Sequence, residues 1–468
     1  MDQESTQILQ YDQEPIVALS SGREASAIAV LRATGNNCLN LIKHCLNPLG
    51  LAPFTPGKMR LCDFKDPETG DIIDQPMAVY FAGPASYTGQ DSVEIFLHGG
   101  PWIVQKSLSI LYQQGFRPAD PGEFTRRAYL NGKLDLTAAE GIRSMVEASS
   151  RQEWLAARQL ATGRLKTEIE SLRLRVMEAM AWLEARIDFP DEKETSEVEW
   201  AQIDTKVSDV ILSVDKLLNS FESGRVASQG LRVTIFGKPN AGKSTLLNEL
   251  LGEERAIVTD IPGTTRDYIE EPCLINGRLI RIVDTAGVRD SEDTVEKIGI
   301  DRSIELARDS DLVLFLLPTD GTHEDYLQMS EWGNSVKNPG QSAFLLTKSD
   351  LGSRPQWLDE DTRSWISLSC QNQNGIDSLK ELLASKVDAH LNQLEKEKTF
   401  ITSPRHKKAL EDASVCLNRY SEARKNEAYE EVLAFELLEL ARVLGSIIGE
   451  VDSDDILGVI FSSFCVGK

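Results

Sequence analysis

Apolar residues recur every three or four positions over a long stretch in the first half of the chain. The positions are Leu165, Ile169, Leu172, Val176, Met180, Leu183 and Ile187. This spacing places them on one face of a helix and predicts that the helix ends just before the segment Asp188-Phe-Pro. Helical character continues over residues 197–221 and returns after about residue 388, over 407–420 and 430–448. We therefore expect an all-helical domain that is interrupted by another domain.

Short apolar runs predict strands elsewhere in the chain. Residues 16–32 indicate two strands around a Ser-Ser-Gly turn, and residues 77–81 and 93–97 indicate two more. These runs, with some helix between them, predict a mixed α+β domain at the N-terminal end.

The interruption begins with a strand, a glycine loop and a helix. Residues 232–236 form an apolar β-branched run, residues 237–244 read GKPNAGKS, and residues 245–250 have a helical pattern. This order is typical of a phosphate-binding loop. Further apolar runs at 279–283, 344–346 and 365–368 predict a Ras-like P-loop domain, with a mostly parallel sheet and helices on both faces. We place the N-terminal domain at 1–130, the helical domain at 131–228 and 389–468, and the inserted domain at 229–388.

The glycine loop has the chemistry of a phosphate site. Gly237 and Gly242 allow the backbone to bend, so that successive N–H groups surround phosphate oxygens at a helix N-terminus. Lys243 would reach the β- and γ-phosphates, and Ser244 would offer its hydroxyl to Mg²⁺. The alternative is a glycine turn followed by a chance Lys-Ser pair.

Four further motifs follow in the order of a guanine-nucleotide domain. Thr264 and Thr265 lie in Asp-Ile-Pro-Gly-Thr-Thr-Arg-Asp, where a switch loop supplies a threonine to Mg²⁺. Asp284-Thr-Ala-Gly follows a strand, and Thr347-Lys-Ser-Asp350 and Ser369-Cys370 follow two others. A carboxylate at Asp350 accepts hydrogen bonds from guanine N1–H and the exocyclic amine, which adenine does not offer. The predicted GTP contacts are Asn240, Ala241, Gly242, Lys243, Ser244, Thr245, Thr259, Asp260, Ile261, Pro262, Gly263, Thr264, Thr265, Asp284, Thr285, Ala286, Gly287, Thr347, Lys348, Asp350, Ser369 and Cys370.

Two positions depart from a common GTPase pattern. Thr347 stands where Asn is usual, which removes an amide arm that ties this loop to the phosphate loop and suggests weaker guanine binding. Val288 stands where many GTPases place a water-orienting Gln, and no arginine finger is evident. Asn240 offers a neutral oxygen that suits a monovalent cation, and Glu296 is a candidate for holding the attacking water. Taken alone, Glu296 is more typical of a solvated helix position.

Composition and charge narrow the remaining classes. The chain has 468 residues and a net charge of −23, which argues against broad binding to nucleic acid. Any RNA contact must then be a local basic patch, such as Arg126-Arg127 or residues 405–408, although both are more typical of solvated helix or loop faces. The seven cysteines form no C-x-x-C pair, so neither a zinc site nor a disulfide framework is indicated. We expect a cytoplasmic protein without a membrane segment, because no apolar run is long enough and the start lacks a signal pattern.

With these motifs, the chain resembles the tRNA modification GTPases of the MnmE (TrmE) family. The segments that carry the resemblance are residues 86–89 (Ser-Tyr-Thr-Gly), 98–100 (His-Gly-Gly), 121–136, 187–190 (Ile-Asp-Phe-Pro), 237–244, 260–267 and 461–468 (Phe-Ser-Ser-Phe-Cys-Val-Gly-Lys). The resemblance implies an N-terminal folate-binding and dimerisation domain, and a homodimer whose GTPase domains pair when GTP and K⁺ bind. It also implies a heterotetramer with an FAD-dependent MnmG-type partner that modifies carbon 5 of the wobble uridine of certain tRNAs.

The resemblance also assigns residues. It implies K⁺ ligands at Asn240, Thr259, Ile261 and Thr264, Mg²⁺ ligands at Ser244 and Thr265, and a catalytic water-orienting role for Glu296. A 5-formyl-tetrahydrofolate, or methylene-tetrahydrofolate, would be held by Arg32, Glu94, Lys133 and Lys468. Potassium would take the place of the missing arginine finger.

Two other functions remain open from the sequence. An RNA-binding ribosome-assembly GTPase of the Era or Der type would carry a Gly-x-x-Gly loop after the inserted domain, and none is found there. A folate aminomethyltransferase with an acquired GTPase domain would act on a protein or small molecule. Cys465 adjoins the apolar helical stretch 456–464, so we expect a buried thiol with a raised pKa rather than a nucleophile.

Overall fold

The computed structural model of the protein describes residues 13–22, 24–50, 53–188, 200–252, 270–283, 307–335, 341–450 and 454–467. The chain forms two compact units. The first consists of Met1–Arg143 and Gly445–Lys468, and the second of Ser144–Leu444. The two ends of the chain therefore belong to the same unit.

The first unit begins with a sheet and ends with helices. In chain order it contains β1 (Ile16–Leu19), β2 (Ser26–Thr34), α1 (Cys38–Ile42), β3 (Leu46–Pro48), β4 (Met59–Lys65), β5 (Ile72–Asp74), β6 (Met77–Phe81), β7 (Ser92–Gly99), α2 (Pro101–Gln113), β8 (Arg117–Pro118), α3 (Glu123–Leu130) and the start of α4 (Leu136–Glu147). The sheet order is β3-β4-β6-β7-β2-β1-β8, with β5 paired to β4. The predicted pair of N-terminal strands is confirmed, since β1 and β2 are antiparallel with Leu19 opposite Leu31.

The two faces of this sheet have different environments. Alternate residues such as Leu31, Ile95 and Leu97 are buried in a core that includes Ile110 and Leu111 of α2. Because side chains alternate along a strand, the intervening positions point to the opposite face. Those positions include Arg32 and Glu94, which are directly paired across β2 and β7.

The second unit combines helices with a second sheet. Its elements are α5 (Arg151–Ala161), α6 (Arg164–Asp188), α7 (Trp200–Asn219), α8 (Phe221–Gln229), β9 (Leu231–Phe236), α9 (Lys243–Leu251), β10 (Glu270–Ile275), β11 (Arg278–Val283), β12 (Leu312–Pro318), α10 (His323–Ser335), β13 (Ser342–Thr347), a 3₁₀ turn (Gln356–Glu360), β14 (Trp365–Ser367), α11 (Ile376–Glu395), α12 (Pro404–Lys425) and α13 (Glu430–Ile448). The final helix, α14 (Asp454–Ser462), returns to the first unit.

The helical stretch predicted over 197–221 is in fact divided. α7 ends at Asn219, and α8 then runs on to Gln229, beyond the predicted end. Ser220 lies at the junction, where its hydroxyl donates to the carbonyl of Leu217 and accepts the N–H of Ile401. α8 comes close to the Ile401 backbone, because a Cβ atom at Gly224 would lie 2.1 Å from that carbonyl oxygen. No local sequence pattern predicts this long-range contact.

The second sheet confirms the predicted P-loop architecture. Its order is β10-β11-β9-β12-β13-β14, with parallel pairs throughout except the antiparallel edge strand β10. On β12, Leu314 packs in a core with residues of α9 and α11, whereas Phe315 packs in another core with Met329 of α10. The sheet is therefore covered by helices on both faces. No helix in the described ranges has the length and apolar character required to cross a membrane.

Candidate functional site

The glycine loop lies between β9 and α9, as its sequence predicted. β9 is buried along most of its length, and α9 begins at Lys243 with Gly242 at its N-cap. Gly242 has φ 91°, a left-handed conformation that favours glycine. The first-turn N–H groups of α9 therefore point out of the carboxyl end of the sheet, where α/β proteins bind phosphates.

Two residues of the loop have conformations that bear on ligand binding. Asn240 has φ 64°, an unusual backbone for a residue other than glycine that Asn tolerates, and it is exposed. The ammonium group of Lys243 donates to the carbonyl oxygens of Gly237 (2.6 Å) and Lys238 (2.9 Å). Ser244 is exposed in the first turn of α9, where its hydroxyl suits the hard-oxygen preference of Mg²⁺.

The predicted guanine-recognition loop is joined to the phosphate loop by the hydroxyl of Thr347. Thr347 ends β13 and is 6% exposed. Its Oγ1 donates to the carbonyl oxygen of Ala241 at 2.7 Å. A connection between the two loops thus exists despite the missing asparagine, whereas the weaker guanine binding suggested by the sequence stays a prediction.

The structure brings together Asp350, Ser369 and Cys370, which the sequence predicts to form the base pocket. The Oγ of Ser369 donates to Oδ1 of Asp350 at 2.6 Å, and the N–H of Ser349 donates to the carbonyl of Leu368. Cys370 follows directly, and burial is the main cause that raises the pKa of its thiol. Asp350 itself is exposed, so its carboxylate can accept from a base.

Sequence reasoning missed Thr319, which supports the same loop. Its N–H donates to the carbonyl of Thr347, and its Oγ1 donates to the carbonyl of Lys348. Lys348 has φ 57°, so this carbonyl is presented by an unusual turn. Thr319 directly follows β12, and a polar residue after a buried strand of the sheet was the available signal.

Several predicted site residues lie outside the described residues. They are Thr259, Asp260, Ile261, Pro262, Gly263, Thr264, Thr265, Asp284, Thr285, Ala286, Gly287, Glu296 and Lys468.

Arg32 and Glu94, two of the four predicted folate residues, form an ion pair in the first unit. The Nε and NH2 atoms of Arg32 lie 2.9 and 2.8 Å from Oε1 of Glu94. The Arg32 guanidinium also lies 5.6 Å from the ring centroid of Tyr87 and 5.8 Å from that of Phe124. These two aromatic residues were missed as site residues, although both lie in segments that carry the family resemblance.

Gly467, near the C-terminal end of the sequence, also contacts Arg32. Gly467 has φ 93°, and a Cβ atom there would lie 2.5 Å from the carbonyl oxygen of Leu19. The carbonyl of Gly467 accepts from Ser20 Oγ at 3.0 Å and from Arg32 NH1 at 3.5 Å. Gly467 therefore lies beside Arg32.

Lys133 lies in an exposed turn after α3. Its Nζ donates to the carbonyl of Pro84 at 2.9 Å. Neighbouring Asn131 donates to the carbonyl of Thr88, so the turn is fixed on the loop before β7. The residues present have the right chemistry for a folate, with cations for its carboxylates and a carboxylate for the donor edge of the pterin.

Two expectations about single residues are wrong. Arg127 is fully buried, where it pairs with Glu123 at 2.7 Å and donates to the carbonyl of Glu14, so it is neither a phosphate contact nor a solvated residue. Cys465 is exposed rather than buried. The reason is that α14 ends at Ser462, and the chain then turns to pair Val466 with Pro121 in an antiparallel bridge.

Comparison with known proteins identifies the family. The family model described as the GTP-binding protein TrmE N-terminus matches residues 15–133, and the MnmE helical domain model matches residues 136–465. The chain belongs to the MnmE family. The two MnmE-family matches agree with the predicted N-terminal and helical domains. The second sheet agrees with the predicted P-loop domain.

Curated relatives extend the MnmE similarity over nearly the whole chain. The tRNA modification GTPase MnmE of Aquifex aeolicus is 37% identical over 461 residues, which cover 97% of this chain and 100% of the relative. The protein of the same name from Natranaerobius thermophilus is 36% identical over 462 residues, with 97% and 100% covered. The predicted GTPase class is thereby confirmed, and the MnmE match favours this interpretation over the ribosome-assembly alternative.

Proposed function

We propose that this MnmE-family GTPase acts with an FAD-dependent MnmG-type partner on tRNA. The pair adds a carboxymethylaminomethyl or aminomethyl group to carbon 5 of the wobble uridine, in the cytoplasm. Two features together carry this proposal. The first is the hydrogen bond from Thr347 to Ala241, which joins the predicted guanine and phosphate loops, and the second is the Arg32–Glu94 ion pair beside Gly467. The relatives' name of tRNA modification GTPase supports the choice of substrate.

In the GTPase part, the chain's own groups bind and orient the nucleotide. Backbone N–H groups after Gly242 donate hydrogen bonds to phosphate oxygens. The ammonium group of Lys243 leaves the carbonyl oxygens of Gly237 and Lys238 and contacts the β- and γ-phosphates instead. Asp350 accepts from guanine, and Ser244 and Thr265 hold Mg²⁺. Glu296 orients the attacking water.

Asn240, together with Thr259, Ile261 and Thr264, is proposed to hold K⁺. Bound there, the cation supplies positive charge where negative charge develops in the transition state. Support comes from the exposed side chain and left-handed backbone of Asn240 at the outer edge of the phosphate loop.

In the N-terminal unit, Arg32, Glu94, Lys133 and Lys468 are proposed to hold the folate. When bound, 5-formyl-tetrahydrofolate or methylene-tetrahydrofolate supplies the one-carbon unit. Arg32 is about three-quarters buried between Tyr87 and Phe124, so its charge is held in one orientation for a carboxylate or ring acceptor. The carboxylate of Glu94 is likewise held, by Arg32.

The active form is proposed to be a homodimer joined through the N-terminal domain at 1–130. The sheet face that carries Arg32 and Glu94 also exposes apolar side chains, namely Ile28, Met59, Leu61 and Met77. A second copy covering this face would remove them from water. The inserted domain at 229–388 would then pair with that of the other copy when GTP and K⁺ bind, and the helical domain at 131–228 and 389–468 would transmit the change to the MnmG-type partner in a heterotetramer.

Deletion of the gene, followed by mass spectrometry of tRNA wobble nucleosides, tests the proposal. We expect loss of the modified uridine and its recovery when the intact gene is supplied. An Asp350→Asn gene should fail to restore the nucleoside, because guanine recognition is lost. Unchanged uridine modification in the deletion strain would sink the proposed function.

A further inference from the structure

The phosphate loop is attached to a neighbouring helix by an ion pair that the GTPase motifs do not include. Lys238, the second residue of the loop, donates from Nζ to Oδ1 of Asp325. Asp325 lies in the first turn of α10, on the side of the sheet opposite α9. Both side chains are mostly buried, at 35% and 25% exposure, so solvent screens the pair less than an open surface pair.

Asp325 is itself held firmly in place. Its Oδ2 accepts the N–H of Thr322 at 2.7 Å, and its own N–H donates to Thr322 Oγ1 at 3.2 Å, which is a reciprocal cap of α10. Farther along α10, the ring of Trp332 lies 4.9 Å from that of Phe236, the last residue of β9. The hydrogen bond from Lys238 is the main cause that lowers the pKa of Asp325 to about 2, so its carboxylate is ionised at neutral pH.

Lys238 connects Asp325 and α10 to the residues of the phosphate loop that are proposed to bind the nucleotide. Its carbonyl oxygen accepts the ammonium of Lys243 at 2.9 Å and the N–H of Ala241 at 3.2 Å. On the other side of the loop, the carbonyl of Ala241 accepts from Thr347. The segment that contains Asn240 is thus fixed at both ends, by α10 through Lys238 and by the guanine loop through Ala241.

We propose that Asp325 is a positioning residue of the GTP site, which holds Lys238 so that the phosphate loop keeps the shape that receives the nucleotide. The inference rests on the GTPase activity and not on the tRNA substrate. A loop that is already ordered loses less conformational freedom when the phosphates bind, so the ion pair favours binding without touching the nucleotide.

Asp325→Asn is the informative variant, because Asn still accepts the Thr322 N–H and caps the helix while the charge is lost. We expect the Kd for GDP and GTP, measured by stopped-flow fluorescence, to rise about fivefold, mainly through faster dissociation. The KM for GTP should rise with kcat unchanged at saturation, and the preference for GTP over ATP should remain. Glu324→Gln removes a neighbouring exposed charge from the same turn and should leave the Kd unchanged.

A double-mutant cycle separates positioning from general destabilisation. Lys238→Met should raise the Kd as much as Asp325→Asn, and the double variant should be no weaker than either single variant, because both remove one interaction. An Asp325→Asn protein that melts at a lower temperature but binds GDP with the wild-type Kd would overturn the inference. Independent, additive effects of the two substitutions would also overturn it. The proposed function would be contradicted if the wobble uridine stayed unmodified after the intact gene was returned to the deletion strain, although the purified wild-type protein binds GTP. That result would leave this inference standing.

Discussion

The hydroxyl of Thr347 joins two loops that we propose act together on one nucleotide. Thr347 donates to the carbonyl of Ala241 from a buried position, so water competes little for this hydrogen bond. The bond fixes the distance between the guanine-binding and phosphate-binding segments. An asparagine at this position is therefore not required for the two loops to be connected.

Thr347→Val tests this connection, because Val keeps the shape and removes the hydroxyl. We expect the Kd for GTP, measured by isothermal titration calorimetry, to rise about five- to tenfold, the usual net effect of losing one buried hydrogen bond. Thr347→Ser keeps the donor and should bind GTP within about twofold of wild type. Equal affinities for the Val and Ser variants would show that the hydroxyl is not used.

Asn240 carries the prediction about potassium. We expect GTP hydrolysis to be at least about tenfold faster in KCl than in NaCl at equal ionic strength, because the site is proposed to hold K⁺ where negative charge develops in the transition state. Asn240→Ala should abolish the difference between the salts. Asn248→Ala, at an exposed position of α9, should preserve it. Equal wild-type rates in the two salts would remove the cation role from Asn240.

At the scale of elements, α8 connects the helical part of the second unit to β9. Two contacts hold it in place. The Oγ of Ser223 lies 3.1 Å from Nδ1 of His390 in α11, and Arg225 pairs with Asp311, which directly precedes β12. Burial is the main cause that lowers the pKa of His390, which favours the neutral ring at this junction. α8, which leads into the inserted domain, is therefore packed against α11, the helix with which that domain ends.

Gly224→Ala tests the close approach of α8 to residue 401. The added methyl group would meet the Ile401 carbonyl at 2.1 Å, so backbone must shift and we expect a loss of about 2–4 kcal/mol in the free energy of unfolding. Gly458→Ala is the matched control, since no heavy atom lies within 4 Å of its added Cβ and alanine favours the helix. Urea denaturation of both variants compares them directly. Equal stability of the Gly224→Ala protein would contradict the contact.

Elements encoded by neighbouring residues were predictable, and those decided by distant contacts were not. The strand, loop and helix around Gly242 follow from residues 232–250 alone, and α6 follows from its apolar spacing. The burial of Arg127 depends instead on Glu14, which lies more than a hundred residues earlier. Likewise, the exposure of Cys465 depends on the bridge between Val466 and Pro121. No periodicity within either segment contains that information.

At the scale of the whole molecule, the proposed dimer depends on the exposed apolar face of the N-terminal sheet. Leu61→Glu places a charge among the exposed apolar side chains of that face and should convert a dimer to a monomer, as measured by light scattering coupled to size-exclusion chromatography. Leu212→Glu changes a leucine that is 68% exposed on α7, and we expect that protein to stay dimeric. A dimeric Leu61→Glu protein would place the interface elsewhere.

The close contact of Gly467 with Leu19 has a consequence for biosynthesis. Strands β1 and β2 leave the ribosome early, whereas the segment Gly445–Lys468 of the same unit follows only after Ser144–Leu444 has been made. At a translation rate of about 5–20 residues per second, these 301 residues (444 − 143) take roughly 15–60 s. During that interval the nascent N-terminal unit lacks its closing segment, so we expect chaperones to hold it until translation has passed Gly467.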